Sequence, residues 1–241
     1  MRLRIGTSGW QYADWRDVLY PTGLPQRAWL PAYAEEYDTV ELNGSFYRLA
    51  KRETFETWAG LVPDGFTMAV KASRFLTHVR RLAEPEEPVA RLMTAATGLG
   101  DRLGPVLLQL PPNLPVDLDR LDACLAEFPP GTRLVVEPRH DSWWVDEVRS
   151  VLETRGAALC WADRFGRPVA PLWRTTDWGY LRLHRGRGGD GWSYGRTALT
   201  SWLCRLGEAF PGDEEVLVYF NNDPGGAAVR DSRLLRRLLL R

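Results

Sequence analysis

Short apolar runs of strand length alternate with stretches of helical period along this chain, and that alternation restricts the fold more than any other feature. The strand-like runs are 3–6, 39–43, 66–71, 106–110, 134–137, 158–161, 180–184 and 216–220. Helical patterns occupy 25–37, 51–61, 88–99, 117–128, 146–155, 197–210 and 230–240. The connection from Asp163 to Gly179 is irregular, with room for a short helix at most. Strict βα alternation implies parallel pairing through helical crossovers. The chain has 241 residues, close to the ~250 typical of α/β barrels. The expectation is therefore an α/β fold of TIM-like (β/α)8 type: a closed, parallel, eight-stranded sheet with outer helices. A doubly wound open sheet is the alternative. No internal repeat, low-complexity segment or linker breaks the pattern, so residues 1–241 read as one barrel domain.

The most informative stretch runs from Leu134 to Trp144. A buried-strand pattern, Leu134-Val135-Val136, ends in Glu137-Pro138-Arg139-His140, and Ser142-Trp143-Trp144 follow. Proline cannot donate to a ladder, so the strand should stop at Glu137. Parallel α/β sheets and barrels place their chemistry at this carboxyl end. Side-chain parity extends the argument, because alternate residues of a strand face opposite sides. Thr39, Glu41 and Asn43 share one face; so do Thr67, Ala69 and Lys71; so do Tyr180, Arg182 and His184. If these mixed faces point inward, then Glu41, Lys71, Gln109, Glu137, Arg182 and His184 converge on one mouth. Buried charges there must pair with one another.

Composition removes several function classes. With 31 Lys+Arg against 31 Asp+Glu, the net charge is zero. That weighs against a basic nucleic-acid surface or polybasic membrane contact, though nucleic acid remains an alternative partner. Three scattered cysteines, no apolar leader and no run of ~20 apolar residues fit a soluble cytoplasmic protein without membrane association. Lys51 and Lys71 are the only lysines. In a chain that otherwise uses arginine, a compact titratable ammonium at a strand end is notable. His140 and His184 with Glu137 and Asp223 form a sparse ligand set without tight spacing, so neither metal nor cofactor is expected. Gly186, Gly188 and Gly191 spell GxGxxG, but Gly195 still interrupts before the next helix. A Rossmann site is therefore rejected in favour of a flexible lid carrying Trp192 and Tyr194.

Several stretches carry a resemblance: Gly6-Thr7-Ser8-Gly9-Trp10, Thr39-Val40-Glu41-Leu42-Asn43 with Ser45-Phe46-Tyr47, Val70-Lys71 with Thr77-His78, and Gln109-Leu110-Pro111-Pro112. Glu137-Pro138-Arg139-His140 with Ser142-Trp143, Tyr180-Leu181-Arg182-Leu183-His184, and Tyr219-Phe220-Asn221-Asn222-Asp223 complete the set. Together these resemble the YecE-like family, domain of unknown function 72, in order over nearly the whole chain. The resemblance implies a TIM-like barrel and brings no reaction or substrate. Arg185 departs from it, since members usually carry glycine there.

The chemistry expected is general acid–base catalysis on a polar, sugar-like or phosphorylated small molecule, of hydrolase, isomerase or lyase type. Glu41, Lys71, Glu137 and His184 are the expected catalytic set. Ser8, Trp10, Asn43, Tyr47, His78, Gln109, Arg139, His140, Trp143, Asp163, Arg182, Asn221, Asn222 and Asp223 are expected to bind substrate. Arginine and lysine at strand ends favour an anionic ligand. The alternatives are a metal-assisted phosphodiesterase or single-strand binder, a non-catalytic ligand-binding barrel, or a purely structural ion network. Oligomeric state is left open.

Overall fold

The computed structural model describes residues 1–189 and 191–240. In chain order the strands are β1 (Arg2–Thr7), β2 (Thr39–Leu42), β3 (Thr67–Lys71), β4 (Leu103–Gln109), β5 (Leu134–Glu137), β6 (Ala157–Leu159), β7 (Trp161–Arg164), β8 (Arg167–Pro168), β9 (Gly179–Leu183) and β10 (Glu215–Phe220). The helices are α1 (Trp29–Glu36), α2 (Gly44–Tyr47), α3 (Arg52–Gly60), α4 (Glu86–Ala96), α5 (Leu118–Ala126), α6 (Asp146–Thr154), α7 (Arg196–Ala209) and α8 (Ala227–Leu239). The fold is α/β, with parallel sheets and helical crossovers.

Two compact units divide the chain. One holds residues 1–41, 161–172 and 177–241; the other holds 42–160 and 173–176. The strands form two five-stranded sheets, ordered β1-β10-β9-β7-β8 and β2-β3-β4-β5-β6. Pairing is parallel from β1 through β10 and β9 to β7, and from β3 through β4 and β5 to β6. Parallel strands are covered on both faces, which is why every residue of β2, β5 and β9 is buried whatever its parity.

Two local readings change. The sequence predicts one strand over 158–161, but the chain forms β6 and β7, separated at Cys160. Cys160 N donates to Val136 O at 2.8 Å, whereas Trp161 pairs with Leu181, so neighbouring residues serve different ladders. The stretch after Asp163 holds a hairpin in place of the short helix. Phe165 (φ 60°) and Gly166 (φ 74°) both take left-handed backbone and turn β7 back into antiparallel β8. Positive φ at both central residues is the geometry of a two-residue hairpin turn. Glycine adopts it freely; phenylalanine does so at a cost of roughly 1–2 kcal/mol.

Helix starts follow local chemistry. Asp117 caps α5 by accepting from Arg120 N at 3.0 Å. Pro31 sits in the first turn of α1, where its missing N–H leaves no bond unmade. Gly6 in β1 is required by close approach, because a Cβ there would lie 2.2 Å from the backbone oxygen of Thr39. That oxygen cannot rotate away. Gly6→Ala is expected to cost about 3 kcal/mol, the upper end of overpacking penalties, read as a lowered midpoint in denaturant at unchanged slope. A midpoint equal to the wild type's would show that the strand can shift without cost.

Candidate functional site

In the first unit, Glu41 stands next to the end of β2 with no exposed surface. It accepts from Ser8 Oγ (2.7 Å) and Arg182 Nη2 (2.7 Å) on Oε1, and from the Tyr180 hydroxyl (2.6 Å) on Oε2. Arg182 is equally enclosed, at 0 % exposure. Burial, followed by the Glu41 charge, raises the Tyr180 pKa well above the usual phenol value, so its hydroxyl keeps its proton and donates. Tyr180 lies two residues before Arg182, so the pleat turns both side chains to the same face.

Asp223 belongs to the same neighbourhood. Burial holds its carboxyl up to about 7 from an ordinary 3.8; the nearby Tyr12 hydroxyl pulls down, the Glu41 charge pushes up and Arg182 opposes it. Asp223 Oδ1 is shielded from water and has no hydrogen-bond partner among the described residues. Asn222 Oδ1 is likewise enclosed and unpaired, while Asn222 Nδ2 donates to Asp231 Oδ2 (2.7 Å) and Trp192 O (3.1 Å). Asn221 Nδ2 stands 3.0 Å from His184 Nδ1. An amide nitrogen can only donate, so a neutral His184 accepts on Nδ1 and carries its hydrogen on Nε2.

Asp163 sits deeper. Its carboxylate accepts from the Tyr194 hydroxyl (2.7 Å), Trp202 Nε1 (2.7 Å) and Gly166 N (3.0 Å), and burial raises its pKa despite these bonds. Tyr194 is buried too, its N–H donating to Asp231 Oδ2 at 2.8 Å. Tyr194 is therefore a core residue and not part of a lid. The glycine-rich loop closes on itself through Gly186 N to Trp192 O (2.7 Å) and Gly188 N to Ser193 O (2.8 Å). Trp10 is buried, its carbonyl accepting from the Tyr20 hydroxyl at 2.5 Å.

In the second unit, three strand ends carry polar side chains. Gln109 of β4 faces Glu137 of β5 in the ladder register, and Gln109 Nε2 donates to Glu137 Oε2 at 3.0 Å. Arg139 Nη2 donates to Glu137 Oε1 at 2.9 Å. Glu137 is 2 % exposed. Lys71 of β3, 8 % exposed, holds its Nζ 4.0 Å from the centre of the Phe46 ring, a cation–π contact. The His78 ring meets the same phenyl edge-on at 5.0 Å.

Burial, then the charges of Lys71, Arg74 and Arg139, lower the His78 pKa below its usual 6.5. Near neutral pH the ring is uncharged. Thr77 Oγ1 donates to Ser73 O (3.1 Å) and lies 2.9 Å from His78 Nδ1. With its one hydrogen committed, Thr77 accepts from Nδ1–H, which puts the imidazole lone pair on Nε2.

Other expected ligand-binding residues do other work. His140 Nδ1 accepts from Ser142 N (3.2 Å) and caps a single turn. Trp143 is fully buried and donates to Leu114 O at 2.7 Å, packing its loop. Tyr47 is 82 % exposed. Asn43 keeps an enclosed side-chain oxygen without a partner among the described residues. Three contributors were absent from the expected site: Phe46 under Lys71, Tyr180 on Glu41, and Asp231 under Asn222. Asp231 had a readable signal, an acid within the α8 stripe of Ala227, Ala228 and Leu235, all of them buried. Among the described residues no group of three or more His, Cys, Asp and Glu is placed to hold a metal, and no helix is long and apolar enough to cross a membrane.

The architecture defines an α/β protein with charged side chains gathered at the carboxyl ends of parallel strands. The family described as Protein of unknown function DUF72 matches residues 4–241, and the chain belongs to that family. The UPF0759 protein YunF of Bacillus subtilis is 26% identical over 98% of this chain and 94% of its own length. The UPF0759 protein YecE of Escherichia coli K12 is 28% identical over 59% of this chain and 50% of YecE. A DUF72 family protein from Thermotoga maritima superposes with a TM-score of 0.87 at 25% identity, covering 100% of both chains.

Proposed function

We propose that this chain is an enzyme of general acid–base type acting on a polar small molecule with a sugar-like or phosphorylated group. The reading keeps the (β/α)8 barrel and the single domain over 1–241 that the sequence implies; parallel strands alternating with helices in each unit support it. The observation that carries the function is the enclosed strand-end carboxylate Glu137, flanked by Gln109 and Arg139, in the unit where His78 stays neutral beside Lys71.

An uncharged imidazole with its lone pair on Nε2 accepts a proton near neutral pH, where an imidazolium cannot. The Lys71 ammonium and the Arg139 guanidinium stabilise the negative charge that this proton's loss leaves on substrate oxygen. The His78 imidazolium so formed returns that proton to the product, while Glu137, held between Gln109 and Arg139, orients the substrate. Glu41 lies in the other unit and takes no part in this scheme: Ser8, Tyr180 and Arg182 occupy both its oxygens. In its own unit, Asp223 is the carboxyl that changes charge near neutrality.

The test is a thermal-shift panel of inorganic phosphate and sugar phosphates. Saturating ligand at about 100 times Kd adds about 2.7 kcal/mol, a rise of several degrees. Glu137→Gln and Lys71→Met are expected to fold as the wild type does and to show a smaller rise than the wild type. Loss of several kcal/mol of stability in either ligand-free variant would instead make the cluster a structural ion network.

A further inference from the structure

The β7–β8 turn carries a second group of cations, outside both clusters above. Phe165 is held in left-handed backbone at its tip, 37% exposed, with its N–H donating to Arg185 O at 2.6 Å. Three guanidinium carbons surround that ring: Arg164 at 5.5 Å, Arg185 at 5.3 Å and Arg187 at 5.9 Å from its centre. Arg185 also lies 4.5 Å over the Trp192 ring, tethered through Nε to Gly191 O at 2.8 Å. A cavity of about 450 Å³ opens beside them, lined among others by Phe165, Arg167, Arg187, Thr197 and Ser201.

No carboxylate among the described residues pairs with Arg164, Arg167, Arg185 or Arg187. Of the acids nearest in sequence, Asp163 has both oxygens occupied by Tyr194, Trp202 and Gly166, and Asp190 lies outside the described residues. Like charges gathered on one ring repel. The assembly also keeps a phenylalanine in backbone that glycine would take more cheaply, and strain of this kind persists where surrounding structure imposes it, commonly at ligand clamps. Guanidinium groups that rest against an aromatic ring keep N–H edges for oxyanions.

We propose that the Phe165 turn, the Arg185–Arg187 segment and the start of α7 form a binding site for a phosphorylated small molecule carrying at least two negative charges. The cavity is of small-molecule size. Phosphoryl oxygens bridge the guanidinium edges and relieve their repulsion in a cavity that Thr197 and Ser201 help to line. The proposal is independent of the acid–base reading, because no residue is shared.

The experiment uses tripolyphosphate as the probe, by isothermal titration on the full chain, with sulfate at matched ionic strength as the control. Wild type is expected to bind tripolyphosphate at least tenfold more tightly than sulfate. Arg187→Gln and Arg164→Gln, both exposed side chains, are expected to weaken binding about tenfold each while melting as the wild type does without ligand. Lys71→Met is expected to keep the site that Arg187→Gln and Arg164→Gln weaken, at its wild-type affinity, whatever it loses at the strand-end cluster. Absence of wild-type binding at millimolar probe, equal affinity for sulfate, or retained binding in both arginine variants would overturn the proposal. Loss in Lys71→Met alone would overturn it too, by moving the anion to the strand-end cluster. A single-stranded oligonucleotide that binds and is not displaced by tripolyphosphate would replace the small molecule with a nucleic-acid surface.

Discussion

Arg182→Met lowers stability by roughly 3–5 kcal/mol, the usual cost of removing one partner from a buried ion pair. In a domain of this size that is a fall of roughly 10 °C or more in melting temperature. Glu41 would be left fully enclosed with only the Ser8 and Tyr180 hydroxyls on its charge. Glu41→Gln combined with Arg182→Met should lose less than the sum of the single changes, because the second removes a charge that the first has stranded. Calorimetric or circular-dichroism melts of the four proteins give the coupling directly. A single Arg182→Met variant melting within two or three degrees of wild type would show that the pair does not hold its unit together.

The second large effect is on pH dependence. Asp223 titrates at about 7 in the folded chain against an ordinary 3.8. Between those values the native state binds more protons at this site than the unfolded chain. Stability therefore falls as pH rises through the window, and the full penalty is present above pH 7. The shift corresponds to roughly 4 kcal/mol at most, at 1.36 kcal/mol per pKa unit. Asp223→Asn removes the cost, so the variant should be the more stable protein at pH 8 and lose its advantage towards pH 4. His78 acts in the opposite sense: its lowered pKa makes acid destabilising below 6.5. The difference curve between wild type and Asp223→Asn cancels that contribution and isolates the carboxyl. A flat difference between pH 4 and 8 would put Asp223 at an ordinary pKa.

Much of this was legible in the residues. Strand-end polar positions followed from parity and from proline as a strand stop, and Gln109 and Glu137 do meet across the ladder. Strand–helix alternation gave the α/β class and parallel pairing. What escaped depends on contacts between distant segments or on backbone that composition does not disclose. Cys160 and Trp161 look like one strand because apolar character continues through them, and only the ladders show where pairing changes. The turn at Phe165 has glycine in one position only, so its left-handed pair was hidden. Buried tyrosines at Glu41 and Asp163 escaped because period-2 reading sorts side chains by face and not by partner. Trp143 looked like a ligand platform because loop aromatics near a strand end serve packing and binding equally well.

The pairing of β1 with β10 has a consequence for synthesis on the ribosome. Arg2 faces Glu215 in that ladder, 213 residues later. The second unit draws nearly all its residues from one continuous stretch, 42–160, and can condense while translation continues. The first strand of the other unit must wait, unpaired, until its C-terminal partner emerges. At roughly 5–20 residues per second that wait is roughly 10–40 s. During this interval Leu3 and Ile5 are exposed on an open edge, where trapping by chaperones or by another nascent chain competes with completion of the sheet.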